Sequence, residues 1–162
     1  MKVSNRDVFQ GIMRELRSLP EESDRITAFG YHPDDYTDID VLGDFIEAIW
    51  EEEELKSLTD DVVNAFVQLH SIDFETKHEG IDTFYENFYE YNKKEDVLRA
   101  CTWYRQNGFS DLEERIATGY DSPEKQQETS NWIADNAAEI YRAYRKLLFT
   151  FEERFLAGEE QS

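Results

Sequence analysis

Ile81, Phe84, Tyr85 and Phe88 recur at i, i+3, i+4 and i+7 in the stretch from Gly80 to Asn92, the spacing that places side chains on one face of a helix of about 3.6 residues per turn. Glu79, Asp82, Glu86 and Glu90 fall on roughly the opposite face. A helix from about Glu79 to Tyr91 would bury an aromatic stripe and turn a row of carboxylates to water.

The same period organises the rest of the chain. A first helix is expected over Asn5 to Leu19, with Val8, Phe9, Ile12, Met13 and Leu16 on its apolar face and Pro20 ending it. Gly30 to Asp35 is punctuated as a loop. From Asp38, Ile39, Leu42, Phe45, Ile46, Ile49 and Trp50 line one side of a second helix, while Asp40, Asp44, Glu47, Glu51 and Glu54 line the other. Thr59 is a suitable N-cap for a third helix carrying Val62, Val63, Phe66 and Leu69. Lys94 to Asn107 forms the next expected helix after the aromatic one, and Asn107-Gly108 supplies a left-handed stop. Ser110-Asp111-Leu112-Glu113 matches a capping box for a short helix ending near Gly119, and Ser122-Pro123 restarts the chain with a cap and a first-turn proline. A long last helix then carries Trp132, Ile133, Asn136, Ile140, Tyr144, Leu147 and Phe151 to about Leu156.

No window alternates apolar and polar residues over strand length. The expected class is therefore all-α, a single compact bundle-like domain of six to eight helices over residues 1–158, with 159–162 as a frayed tail. The chain has 162 residues, and 11 Phe, 9 Tyr and 3 Trp supply ample core material. That aromatic content separates it from acidic disordered chains of similar charge.

The net charge is −20, and its distribution is uneven. Residues 20–90 hold 21 acids against Arg25, Lys56 and Lys77, a net of −18; residues 91–162 hold 14 acids and 10 bases, a net of −4. Such a field repels nucleic acid and anionic membranes and favours a basic protein surface or cations as partners. Cys101 is the only cysteine, which fits a reducing compartment, and no run of about 18 apolar residues is present. A soluble, cytoplasmic protein is expected.

Catalytic signals are sparse. There is no Gly-rich phosphate loop and no Gly-x-Ser-x-Gly elbow, and Cys101 lies on the apolar face of its helix. No cofactor is expected. His70, Asp73, Glu75, His78 and Glu79 cluster within ten residues, and imidazole with carboxylate suits a transition metal, so a metal-dependent enzyme at His70 to Glu79 is one alternative. The set lacks the HExxH spacing of a zinc protease.

The stretch His78-Glu79-Gly80-Ile81-Asp82-Thr83-Phe84-Tyr85-Glu86-Asn87 resembles a bacterial family that includes an acidic DNA-mimic protein. That family shows Asn-Gly-Gly-Phe, two variable positions, two aromatics, one further residue and Asn. Gly80, Ile81, Phe84, Tyr85 and Asn87 occupy the matching positions, whereas His78 and Glu79 replace the usual Asn-Gly pair. Asn107-Gly108-Phe109-Ser110 resembles the turn after the family's following helix. The resemblance spans about Leu42 to Ile116 and implies an all-α domain. In the characterised member, an acidic surface occupies the DNA-binding face of a regulator.

Mimicry requires carboxylates held in rows. Along a helix Asp40 to Glu54 would line about 21 Å and Glu79 to Glu90 about 16 Å, against one phosphate per ~3.4 Å on each DNA strand. Two rows side by side would approach that density. The expected partner-binding residues are therefore Asp40, Asp44, Glu47, Glu51, Glu54, Glu79, Asp82, Glu86 and Glu90. The scarcity of lysine in this block favours a binding role over simple solvation, because like charges at i, i+4 destabilise a helix by ~0.2–0.5 kcal/mol per pair. A non-enzymatic acidic protein that occupies a basic protein surface, one that otherwise contacts DNA, is the leading expectation. An immunity-type protein that neutralises one partner without imitating DNA is the other alternative.

Overall fold

The computed structural model describes residues 13, 14, 17, 18, 60–87 and 92–160, with side chains as far as residue 153. Six helices and no strand occur among the described residues: α1 (Asp61–Lys77), α2 (Ile81–Tyr85), α3 (Lys94–Gln106), α4 (Ser110–Thr118), α5 (Pro123–Asp135) and α6 (Ala137–Glu160). The protein is all-α, as its periodicity requires. No described helix is long and apolar enough to cross a membrane.

Helix α1 is the central element and packs against α2, α3, α5 and α6. Its first turn is held by Asp60, whose carboxylate accepts from the Val62 and Val63 amides at 2.9 and 3.1 Å. Asp60, one residue beyond the expected Thr59, is thus the cap; an ionised acceptor also suits the positive end of the helix. Phe66, Leu69 and Ile72 bury from α1 into a core shared with Phe84, Val97, Leu112, Ile133 and Leu147. Met13 joins the same cluster.

Hydrogen bonds from buried hydroxyls fix how the helices meet. Tyr104, fully buried in α3, donates to the Ala65 carbonyl of α1 at 2.6 Å. Tyr85 of α2 donates to the Ile116 carbonyl of α4 at 2.7 Å. The Thr129 hydroxyl of α5 sits 2.7 Å from the Arg115 carbonyl of α4. These contacts give hydroxyls that packing removes from water an acceptor on a neighbouring helix.

Several expected boundaries shift. Of the aromatic helix expected over Glu79 to Tyr91, the described residues form α2, Ile81–Tyr85, while 88–91 lie outside them. Gly80 precedes it at φ 113°, and Asn87 follows at φ 56°, a left-handed conformation that Asn tolerates and that ends a helix. The capping box at Ser110 does not form. Phe109 is the N-cap, no side chain caps α4, and Ser110 is already helical. The single long last helix is divided at Asn136 (φ −123°, ψ 41°), whose side-chain amide donates to the Trp132 carbonyl at 2.8 Å. An asparagine offers the backbone such a local alternative to the helical bond. The second half of that helix extends to Glu160, past the expected end near Leu156. By contrast, Ser122 caps α5 by accepting from Lys125 N with Pro123 in the first turn, as its sequence specifies. The expected helix from Asp38 and the Gly30 to Asp35 loop lie outside the described residues.

Candidate functional site

Of the nine expected partner-binding acids, Asp40, Asp44, Glu47, Glu51, Glu54 and Glu90 lie outside the described residues. Glu79, Asp82 and Glu86 are described, and all three are exposed. They stand on the rim formed by the α1–α2 turn, α2 itself and its C-terminal turn. Their positions follow from the chain geometry. His78 closes α1, Gly80 adopts a backbone conformation that other residues resist, and its N–H returns to the Glu75 carbonyl at 2.6 Å. Ile81 and Phe84 then point into the core, which turns Asp82 and Glu86 outward.

No ion pair neutralises Glu79, Asp82 or Glu86 among the described residues. Elsewhere in the chain carboxylates find cations: Asp61 and Asp96 each lie 3.5 Å from Arg99, and Glu128 is 3.1 Å from Lys125. Lys77, at the end of α1, pairs with Asp73 at 2.6 Å. The rim is electrostatically felt behind it. The buried Glu75 carboxyl is raised above the ordinary range, first by burial and then by repulsion from Glu79. Its Oε2 has no hydrogen-bond partner.

The His70 to Glu79 cluster does not converge. Among the described residues, no three His, Cys, Asp or Glu side chains are placed to hold a metal ion together. The helix spreads them around its axis. His70 stacks between Phe66 and Phe74, with ring centroids 6.0 and 6.3 Å away. His78 stacks on Phe74 at 4.1 Å and its Nδ1 donates to the Phe74 carbonyl at 2.8 Å. Asp73 turns the other way, into the interior, where Tyr144 donates to it at 3.2 Å. Cys101 is buried, and burial pushes its thiol up to about 12, so it stays protonated and unreactive at neutral pH. Trp103 is buried and Trp132 packs on the core, while Trp50 lies outside the described residues.

Asp73 gives this region a pH dependence. Burial pushes its carboxyl from 3.8 up to about 6, against the opposing hydrogen bond from Tyr144 and the charges of His70 and His78. Because the folded protein binds this proton more tightly than the unfolded chain, the resulting stability is fully present below about pH 4 and lost as pH rises through about 6. Lys77, lowered to about 8 by burial, stays protonated across that window and adds no slope. Native protein should therefore gain stability relative to Asp73→Asn between pH 7 and pH 4, by at most about 3 kcal/mol. Denaturant midpoints of both proteins across that range measure the difference; parallel curves would exclude the assignment.

Reasoning from sequence did not single out one further feature, a basic stripe on α6. Arg142, Arg145 and Lys146 face an open cavity of about 570 Å³ beneath the α3–α4 turn. Their i, i+3, i+4 spacing was the available signal. No family model, curated protein or solved structure matches the chain.

Proposed function

We propose that the chain is a non-enzymatic acidic protein that engages a basic protein surface, of the kind that otherwise contacts DNA. The observation that carries this reading is the exposed rim of Glu79, Asp82 and Glu86, which no cation among the described residues neutralises, within a block of net −18. A merely solvated face would mix both charge signs, since opposite pairs stabilise a helix and like pairs do not. Here the repulsion is retained, and a partner's Lys and Arg side chains would relieve it. The rim stands on a packed scaffold: Ile81 and Phe84 in the core and Tyr85 bonded to α4 hold α2 in place. Carboxylates so held lose little freedom on binding, the condition for a preorganised charged surface.

The test is capture of a DNA-binding protein by the immobilised chain, with duplex DNA as competitor. Capture should be displaced by DNA and fall steeply with salt, because the contact is between charges that a Debye length of about 8 Å screens at physiological ionic strength. The combined substitution Glu79→Gln, Asp82→Asn and Glu86→Gln should weaken the purified complex by about tenfold and flatten its salt dependence, while leaving the fold intact. Capture indifferent to both DNA and salt would defeat the reading and favour neutralisation of a partner by other contacts.

A further inference from the structure

Asn107 is the only asparagine in the chain followed by glycine; each of the other six precedes a residue with a side chain. The distinction is chemical. A backbone nitrogen can attack the side-chain amide carbon of the asparagine before it, and glycine, having no Cβ, crowds that nitrogen least. The dipeptide also meets water: Gly108 is exposed, and a Cβ built on it would touch nothing within 4 Å.

The folded turn holds the reacting atoms apart. Asn107 ends α3 at φ −107° and ψ 15°, which swings the Gly108 nitrogen away from the asparagine side chain. Bringing that nitrogen to Cγ takes a large rotation about ψ, the one soft backbone torsion between them. Two contacts resist it. The Asn107 side-chain amide is turned back along the helix and donates to the Trp103 carbonyl at 2.8 Å. Beyond the glycine, Phe109 is buried and its N–H donates to the Tyr104 carbonyl at 2.8 Å. Gly108 itself is held loosely, its N–H reaching the Arg105 carbonyl only at 3.4 Å. Rotation at Asn107 therefore requires the stop of α3 to undo and Phe109 to leave the core.

We infer that Asn107-Gly108 is a site of spontaneous covalent modification, gated by opening of the α3–α4 turn, with water as the co-reactant. In the open turn the Gly108 nitrogen bonds to Asn107 Cγ, the Cγ–Nδ2 bond breaks, and ammonia leaves with the proton that Gly108 gives up. One water then opens the five-membered imide at either carbonyl, giving aspartate, or isoaspartate when the original main-chain bond is the one cut. No electrons are exchanged. Either product replaces a donor with a carboxylate opposite the Trp103 carbonyl, acceptor against acceptor, and adds negative charge at the negative end of α3. Isoaspartate also inserts a carbon into the main chain. The original turn cannot re-form, so the change is one-way and records the time the turn has spent open, which its own local free energy of opening sets. The site shares no residue with the acidic rim, so the two readings stand or fall separately.

The full chain is incubated at mildly alkaline pH for days, folded in buffer and unfolded in urea, and mapped by peptide mass spectrometry. In urea Asn107 should convert faster than any other asparagine, to both aspartate and isoaspartate. In the folded chain the same residue should convert at least about tenfold more slowly, because only the open fraction reacts. Phe109→Leu loosens the anchor of the turn and should raise the folded rate about fivefold while leaving the rate in urea unchanged. Conversion as fast in the folded chain as in urea would overturn the gating, and so would a folded rate that Phe109→Leu does not change. The site itself is overturned if another asparagine converts fastest in urea, or if aspartate forms without isoaspartate, the result of direct hydrolysis rather than ring closure.

Discussion

Asn92→Ala is expected to destabilise the domain by about 3–5 kcal/mol, more than its small loss of apolar surface would suggest. Asn92 is 1% exposed and stands in a directional chain of hydrogen bonds. Ser71 Oγ donates to Asn92 Oδ1 at 3.2 Å, Asn92 Nδ2 to Gln68 Oε1 at 2.8 Å, Gln68 Nε2 to Asn64 Oδ1 at 3.2 Å, and Asn64 Nδ2 to the Asp96 carbonyl at 2.9 Å. Every donor points the same way, from Ser71 of α1 to Asn92 just ahead of α3, back along α1 through Gln68 and Asn64, and on to the first turn of α3. Each bond polarises the next in a medium that screens poorly. Alanine removes the acceptor of Ser71 and the donor to Gln68 at once, and each buried group that loses a partner costs about 1–3 kcal/mol. Asn92→Asp separates direction from volume. It preserves the acceptor for Ser71 but sets oxygen against Gln68 Oε1, and Gln68 cannot reverse its amide without turning it from Asn64. That variant should be nearly as unstable at neutral pH and recover in acid, once a protonated carboxyl can donate. Urea midpoints at unchanged denaturant slope report the result. A loss below about 1 kcal/mol for Asn92→Ala would mean the chain of bonds adds little.

This polar chain marks the limit of what the sequence discloses. Helices α1, α3, α4 and α5 are legible because their apolar period is strong and local chemistry writes some of their ends: Gly108 at φ 93° after α3, and Ser122-Pro123 before α5. Asn64, Gln68 and Ser71 are polar, so a hydrophobic period assigns them to water, yet all three are buried. Their burial depends on Asn92, at least 21 residues away, which only the tertiary fold brings near. Asn87 and Asn136 interrupt apolar patterns that would otherwise continue, because the Asn backbone conformation outweighs side-chain spacing. The candidate site divides in the same way. Glu79, Asp82 and Glu86 were legible as surface residues, since an unpaired carboxylate seldom buries. Counting charge in blocks concealed the α6 stripe, because the net of −4 over residues 91–162 averages Arg142, Arg145 and Lys146 with surrounding acids.

The residues from Gly80 to Asn87 find their roles in the fold. Gly80 takes φ 113°, Ile81 and Phe84 enter the core, Tyr85 bonds to α4, and Asn87 takes φ 56° while accepting from the Asn92 amide at 2.8 Å. The motif therefore specifies a turn, a short helix and a second turn. The acids proposed to bind a partner, Asp82 and Glu86, occupy positions that the motif leaves free. The scaffold and the proposed binding surface are thus separable properties of this stretch.

Gly119→Ala should cost about 2–4 kcal/mol, although the same change at an exposed helical position usually stabilises by about 0.4–1 kcal/mol. Gly119 has φ −58° and ψ −23°, angles that alanine adopts freely, so backbone strain is not the cause. A Cβ there would overlap Tyr85 Oη and Cζ outright and come 2.7 Å from Cε1. Tyr85 has no easy retreat. Its ring stands edge-on to Phe84 and Tyr120, with centroids 5.1 and 4.9 Å away, and its hydroxyl is committed to Ile116. Moving it forfeits that bond, about 1 kcal/mol, and adds the overpacking penalty of about 1–3 kcal/mol. A double-mutant cycle resolves the mechanism. Tyr85→Phe should rescue little, because the ring carbon still collides. Tyr85→Ala should absorb most of the cost of Gly119→Ala, giving a coupling of about 1–3 kcal/mol. Strict additivity would place the cost outside this contact. If the coupling holds, α2, and with it Asp82 and Glu86 of the acidic rim, is positioned by the close approach of one phenol to one glycine.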